Sequence, residues 1–457
     1  MKYVSTRGNA SAGGTPAVSF GQAVAQGLAP DGGLYVPERW PTLQVSDFDG
    51  ATTLPEVAEV FLRPFVADDP VAPQIGEIVR EAFDFPAPLV PVTADGKLSV
   101  LELFHGPTAA FKDFGARFLA ASLARIRGQS SKNGNSRPLN ILVATSGDTG
   151  GAVAAAFHGR PGIQVSVLFP KGLVSPTQER QLTCWGDNVH AYRVSGSFDD
   201  CQRIVKEAFV DAGLRQRFEL SSANSINLGR LLPQAVYYAA TSLAVLRQTG
   251  EKANFIIPSG NLGNSAACIW ARKVGLPIGR VMLAHNANRA VPDYLSTGNW
   301  MPRPSVATLA SAMDVGTPSN MERLRSLFPD VEQVREAVQA ASVSDEQIGA
   351  RISADFRKYG KTWCPHTATA AEVYERMVSG GRPGEHQGEP RSERWVLVST
   401  AHPAKFHEIV EPLIGRRIEM PESLAKLFSR PVSCVDLEPT LAALTGALGT
   451  VKQEIKD

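Results

Sequence analysis

An α/β protein with mostly parallel strands is the fold class this sequence predicts. Short apolar runs alternate with helix-spaced stretches from about residue 112 onward, and glycine-rich junctions separate them. About ninety residues that read as mostly helical come first.

The helices of that first region are carried by "FGQAVAQGLA", "LPEVAEVFLRPFVA" and "PQIGEIVREAFDF", separated by the turn "PDGG". "LVPVTADGKLSVLELF" then predicts a hairpin turning at Asp95 and Gly96. Strands follow in "LNILVATS", "IQVSVLFP", "VHAYRVSG", "ANFIIPSG" and "IGRVMLAHN", with helices in "DDCQRIVKEAFVDAG" and "LLPQAVYYAATSLAVLR". Such alternation places ligands at the carboxyl ends of strands. After about residue 300 come helical segments, a last strand in "RWVLVST", and a helix beginning near "AKFHEIVEPLIG". Two polar stretches, "GQSSKNGNSRP" and "SGGRPGEHQGEPRSER", read as exposed loops. The expected divisions are an amino-terminal domain over 1–95, a smaller α/β subdomain over 96–225 and a larger one over 226–457.

At 457 residues, 43% hydrophobic and 20% charged, the chain has the composition of a globular protein of two or three domains. Forty-six basic against 45 acidic side chains, with no long basic run, leave no nucleic-acid footprint. Five cysteines without a CxxC pair or metal-ligand spacing predict no disulfide framework and no metal, and fit a reducing cytoplasm. With no signal-like start and no long apolar run, neither secretion nor a membrane span is expected.

Four polar constellations and one lysine carry the chemical signal. In "ATSGDTGGAVAAAF" a strand gives way to a helix, whose free N–H groups would attract a carboxylate; an ordinary capped turn is the alternative. "IIPSGNLGNSAACIW" is a second such junction, whose two glycines let a small phosphate approach the backbone, although a plain tight turn fits too. It has neither a nucleotide P-loop nor a dinucleotide fingerprint. In "VLVSTAHPAKF" the hydroxyl of Thr400 could meet a ring nitrogen, or simply end a strand. "SSANSINLGR" offers Asn224, Ser225, Asn227 and an arginine suited to fork onto phosphate, or a helix-capping loop. Finally Lys112, in "HGPTAAFKDFGARF", stands among phenylalanines, where desolvation favours the neutral amine that forms a Schiff base with an aldehyde such as pyridoxal phosphate. His105, His366 and His402 read as orienting or buried structural histidines.

With these motifs, and with "GLAPDGGLYVP", "SANSINLGRLLPQ" and "SAMDVGTPSN" in order, the sequence resembles the threonine synthase family almost end to end. The resemblance implies a pyridoxal-phosphate enzyme of the tryptophan-synthase-β-like fold. It implies that Lys112 is the Schiff-base residue and the base that moves substrate protons. Gly260, Asn261, Leu262, Gly263 and Asn264 would then hold the cofactor phosphate, Thr400 face the pyridine nitrogen, and Asp148 stand beside the ring hydroxyl. Ser146, Gly147 and Thr149 would bind the substrate carboxylate, and Asn227, Arg230 and Lys405 its phosphate. The sequence departs from the pattern at Asp148, where many relatives of the fold carry asparagine, and at Leu262, where close relatives often carry phenylalanine.

The implied reaction converts O-phospho-L-homoserine and water to L-threonine and phosphate, in a monomer or small homo-oligomer. The competing expectations are a phospho-lyase that makes 2-oxobutyrate from the same substrate and a non-catalytic binder of the cofactor.

Overall fold

A computed structural model describes residues 1–8, 15–131, 137–380 and 393–454 of the chain. The amino-terminal region pairs β1 (Tyr3–Ser5) with β2 (Tyr35–Pro37) antiparallel, and then turns helical at Phe20–Gln26, Leu54–Leu62 and Ile75–Ala82. Thr53 closes a reciprocal capping box with Glu56 at the second of these helices, which is why that run starts where it does. The hairpin of β3 (Leu89–Pro91) and β4 (Leu98–Glu102) forms as expected, with Gly96 at φ 65 in its turn.

The rest of the chain builds two parallel layers. β5 (Leu139–Ala144), β6 (Ile163–Pro170), β7 (Val189–Val194) and β8 (Glu219–Ser222) come first, then β9 (Ala253–Pro258), β10 (Ile278–His285), β11 (Gln339–Ser342), β12 (Trp395–Ser399) and β13 (Val435–Leu437). The smaller sheet runs β13-β7-β6-β5-β8, all pairs parallel; the larger runs β11-β10-β9-β12-β4-β3, parallel except at the β3–β4 hairpin. Central strands such as β5, β9 and β12 are buried along their whole length, as continuous apolar runs covered by helices on both faces require.

The sheets do not follow the expected division along the chain. β4, expected in the smaller subdomain, pairs β12 in the larger sheet, and β13, expected in the larger, completes the smaller one. Of the two polar stretches expected as loops, residues 132–136 and 381–392 lie outside the described residues, and the first stretch begins inside the helix Lys112–Ser131.

That helix fixes the position of the lysine. Phe114, in the first turn, packs against Phe83, Phe85 and Tyr237 with ring centroids 5.9, 4.6 and 5.2 Å away. A fully buried phenylalanine contributes roughly 2–3 kcal/mol. The start of the helix is thereby anchored to the amino-terminal helices and to the helix Ala235–Thr249.

Candidate active site

Five chain segments converge where the two sheets face each other. They are the start of the helix Lys112–Ser131, the β5 and β9 junctions, the segment after β8, and the end of β12. Together they enclose a pocket of about 110 Å³. A more open groove of about 550 Å³ adjoins it at Phe198, Gln202 and Val315, but contains none of the sequence-identified groups. Chemistry rather than size identifies the site.

Lys112 is held by a short zipper. Phe111 N–H donates to the Thr400 carbonyl at 2.8 Å, His402 N–H donates to the Ala109 carbonyl at 3.0 Å, and Ala109 takes φ 52 to let the chain turn. The Lys112 Nζ lies 4.5 Å from the centroid of the Phe111 ring and makes no ion pair among the described residues. Burial pushes its pKa down to about 8; Asp148 opposes that, while Lys405 and Arg230 add to it. At pH 7 about a tenth of the side chain is then the free amine, against a few parts in ten thousand for an ordinary lysine.

At the β5 junction, Gly147 takes φ 136, and a Cβ there would lie 2.5 Å from the Gln178 amide. Thr145 Oγ1 accepts from the N–H groups of Gly147 and Gly150, at 3.0 and 2.9 Å. The N–H groups of Ser146, Asp148 and Thr149 meet no protein acceptor among the described residues. Asp148 is buried; although burial pushes its carboxyl up, Lys405, Lys112 and His366 together with the Gln178 hydrogen bond hold it well below the usual carboxylate range.

The β9 junction is barer. Among the described residues, no protein acceptor meets the N–H of any of residues 260–265, which precede and open the helix Gly263–Lys273. Leu262 takes φ 61, and a Cβ on Gly260 would stand 2.7 Å from the Met313 Cα, so this backbone course depends on glycine at 260. Asn264 accepts from the Tyr237 and Tyr238 hydroxyls through Oδ1, leaving its buried Nδ2 without a partner at the pocket wall. Amides converging at a helix start, with no acidic side chain in the first turn, form an anion cradle. These residues fit the phosphate of pyridoxal phosphate, and Lys112 fits its aldehyde.

Arg230 lines the same pocket. Its Nη1 donates to the Ala223 carbonyl, its Nε is buried without a partner, and burial pulls its pKa down to about 10. Thr400 also reaches the pocket wall.

The structure thus brings Lys112, Ser146, Asp148, Thr149, Arg230, Gly260, Asn261, Leu262, Gly263, Asn264 and Thr400 to one cavity. Three expected residues stand behind its wall. Gly147 shapes the first junction through its backbone. Asn227 is wholly buried, donating to the Val24 and Ser222 carbonyls and capping the turn Leu228–Leu231, so its amide has no group left for a substrate phosphate in this geometry. Lys405, with a fully buried side chain, donates to Asp148 Oδ1 at 2.7 Å and to the Thr108 carbonyl at 2.9 Å.

His105 bonds Glu102 at 2.8 Å, and His402 caps the turn that holds Lys405, both in structural roles.

Two pocket residues were not singled out as binding groups from the sequence. Ser225 Oγ receives Asn261 Nδ2 at 2.7 Å and Asn320 Nδ2 at 3.2 Å, leaving its own hydroxyl proton free to donate. It lies inside the quoted "SSANSINLGR" run, so its signal was visible. His366, which burial pushes down to about 4, accepts from the Ala312 N–H at 3.1 Å and so secures the segment that covers the cradle.

Three family models match the chain: threonine synthase N terminus over residues 2–83, pyridoxal-phosphate dependent enzyme over 84–400, and threonine synthase, C-terminal, over 367–447. The threonine synthase of Escherichia coli (strain K12) is 39% identical over 430 residues, covering 93% of this chain and 95% of that one. A crystal structure of threonine synthase from Escherichia coli superposes with a TM-score of 0.86 at 37% identity, covering 98% and 100% of the two chains. The pyridoxal-phosphate-bound threonine synthase from Brucella melitensis gives 0.85 at 34%, covering 97% and 98%.

Proposed function

The chain belongs to the threonine synthase family of pyridoxal-phosphate-dependent enzymes, and on that premise we propose how its residues divide the work. It is a pyridoxal-phosphate-dependent lyase of threonine biosynthesis. We assign it O-phospho-L-homoserine and water as substrates and L-threonine and phosphate as products, in the cytoplasm and as a monomer or small homo-oligomer.

When bound, the cofactor supplies an electron sink for negative charge developed at substrate carbon. Lys112 would hold its aldehyde carbon, residues 260–265 its phosphate, Thr400 its ring nitrogen, and Asp148 would stand beside its ring hydroxyl. The three free amides of the β5 junction orient the substrate carboxylate. Arg230, which lines the pocket, and Ser225, through its free hydroxyl proton, donate to the substrate phosphate. The Lys112 amine would accept the substrate α proton and then move a β proton. A pKa near 8 suits both directions of that transfer. Phe111 and Met313 line the pocket and limit water around the amine.

The single observation that supports this reading most is the joint presence of a low-pKa amine and two free-amide helix starts around one pocket. The phospho-lyase outcome shares this geometry. Measuring L-threonine and 2-oxobutyrate in one reaction mixture separates them: threonine in large excess is expected, and oxoacid in excess would overturn the assignment.

A further inference from the structure

The structure brings two cations, Lys112 and Lys405, near one carboxylate, Asp148, and gives them different positions. Lys405 has no exposed side chain; its Nζ meets Asp148 Oδ1 at 2.7 Å and the Thr108 carbonyl at 2.9 Å. Its backbone carbonyl is tied to Ser175 Oγ at 3.2 Å, on the same turn of chain as Gln178, which donates to Asp148 Oδ1 at 3.0 Å. Lys112 stands on the pocket side and makes no ion pair among the described residues.

We propose that Lys405 is a positioning residue: by serving as the permanent counter-ion of Asp148 from behind the pocket wall, it keeps that carboxylate from capturing the Lys112 ammonium. The proposal deepens, and rests on, the assignment of Lys112 as the reactive amine. Paired this way, Asp148 and Lys405 present no net charge to the pocket, although each is buried and ionic. An unpaired Asp148 would instead pull Lys112 into an ion pair and hold its proton.

The other charged groups acting near Lys112 leave Lys405 this role. Arg230, from the turn Leu228–Leu231, also disfavours the ammonium. Asp113, beside Lys112, is taken up by the Thr108 N–H and hydroxyl at 2.9 and 2.6 Å. His366, on the helix Pro365–Val378, is neutral near pH 7, because burial pushes it down to about 4.

The test is the pH dependence of Lys112 acetylation by acetic anhydride in the full-length protein freed of cofactor, read by peptide mass spectrometry. The wild type should reach half-maximal labelling near pH 8. Lys405→Met should move that midpoint up by about one pH unit, a tenfold loss of free amine at pH 7, while Lys405→Arg stays close to wild type. Asp148→Asn, which keeps Lys405, should move it down, and Asp148→Asn with Lys405→Met should return it toward wild type. This pair keeps the test valid if Lys405→Met alone does not fold. Unchanged midpoints in folded Lys405→Met or Asp148→Asn overturn the proposal and leave the Lys112 assignment standing. A wild-type midpoint near that of an ordinary lysine overturns the assignment itself, and the proposal with it.

Discussion

The junctions after β5 and β9 begin as similar devices, a buried parallel strand running through glycines into a helix, and end as different ones. After β5 the Thr145 hydroxyl takes two amides, an ionised Asp148 occupies the first turn, and three amides meet no acceptor among the described residues. After β9, among the described residues, no side chain takes an amide and no acidic side chain enters the first turn, so six amides stay free. A site prepared with charge already balanced suits the single charge of a carboxylate; a bare one suits a phosphate dianion. Lys112 stands between the two.

The largest effect comes from removing the group both junctions serve. Lys112→Ala should lower kcat by about a thousandfold or more, as steady-state threonine formation would show; activity within tenfold of wild type would break the account. Gly260→Ala should strike the second junction alone. Its Cβ would lie 2.7 Å from the Met313 backbone, so the cradle must open, and cofactor affinity in a spectroscopic titration should fall by about a hundredfold.

The lysine also has a cost in the cofactor-free protein. Its folded pKa of about 8 lies below the 10.5 of the unfolded chain, so between those values the unfolded state binds more protons and stability rises with pH. Lys112→Met should therefore stabilise the cofactor-free protein at pH 7 by on the order of 2 kcal/mol, and the gain should fade above pH 8 in urea melts. No gain at pH 7 would contradict the buried position.

Gly147→Ala should affect the first junction only. At φ 136 a side chain is strained, so substrate KM should rise about tenfold while cofactor affinity holds. If Gly147→Ala and Gly260→Ala both changed cofactor affinity alike, the division between the junctions would fail. Smallest of all, Thr145→Val leaves the Gly147 and Gly150 amides without their acceptor. A loss of roughly 1–2 kcal/mol in denaturant unfolding is expected, with kcat nearly unchanged.

Strands buried on both faces were legible because continuous apolar runs have few other uses. Those runs give β5, β6, β7, β9, β10 and β12. The strands missed, β1, β2, β8, β11 and β13, are three or four residues long and all lie at sheet edges, β1 and β2 as a two-stranded pair, where one side needs no partner. The crossing connections that return β4 and β13 to distant sheets cannot be read from composition.

At the site, motif chemistry placed Lys112, both junctions, Arg230 and Thr400. In this geometry Asn227 caps a turn and Lys405 pairs with Asp148, and an asparagine that caps and a lysine that neutralises look in sequence like residues that bind. Gln178, which shapes the first junction from another element, carries no sequence signal, whereas Met313, which crowds the second, lies inside the quoted "SAMDVGTPSN" run.

The central claim is that Lys112 is the amine that takes the cofactor. Borohydride reduction of the protein loaded with pyridoxal phosphate, followed by peptide mapping, tests it most directly. The account predicts a single pyridoxyl group on the peptide that contains Lys112; a label on another lysine, or none on that peptide, would contradict it.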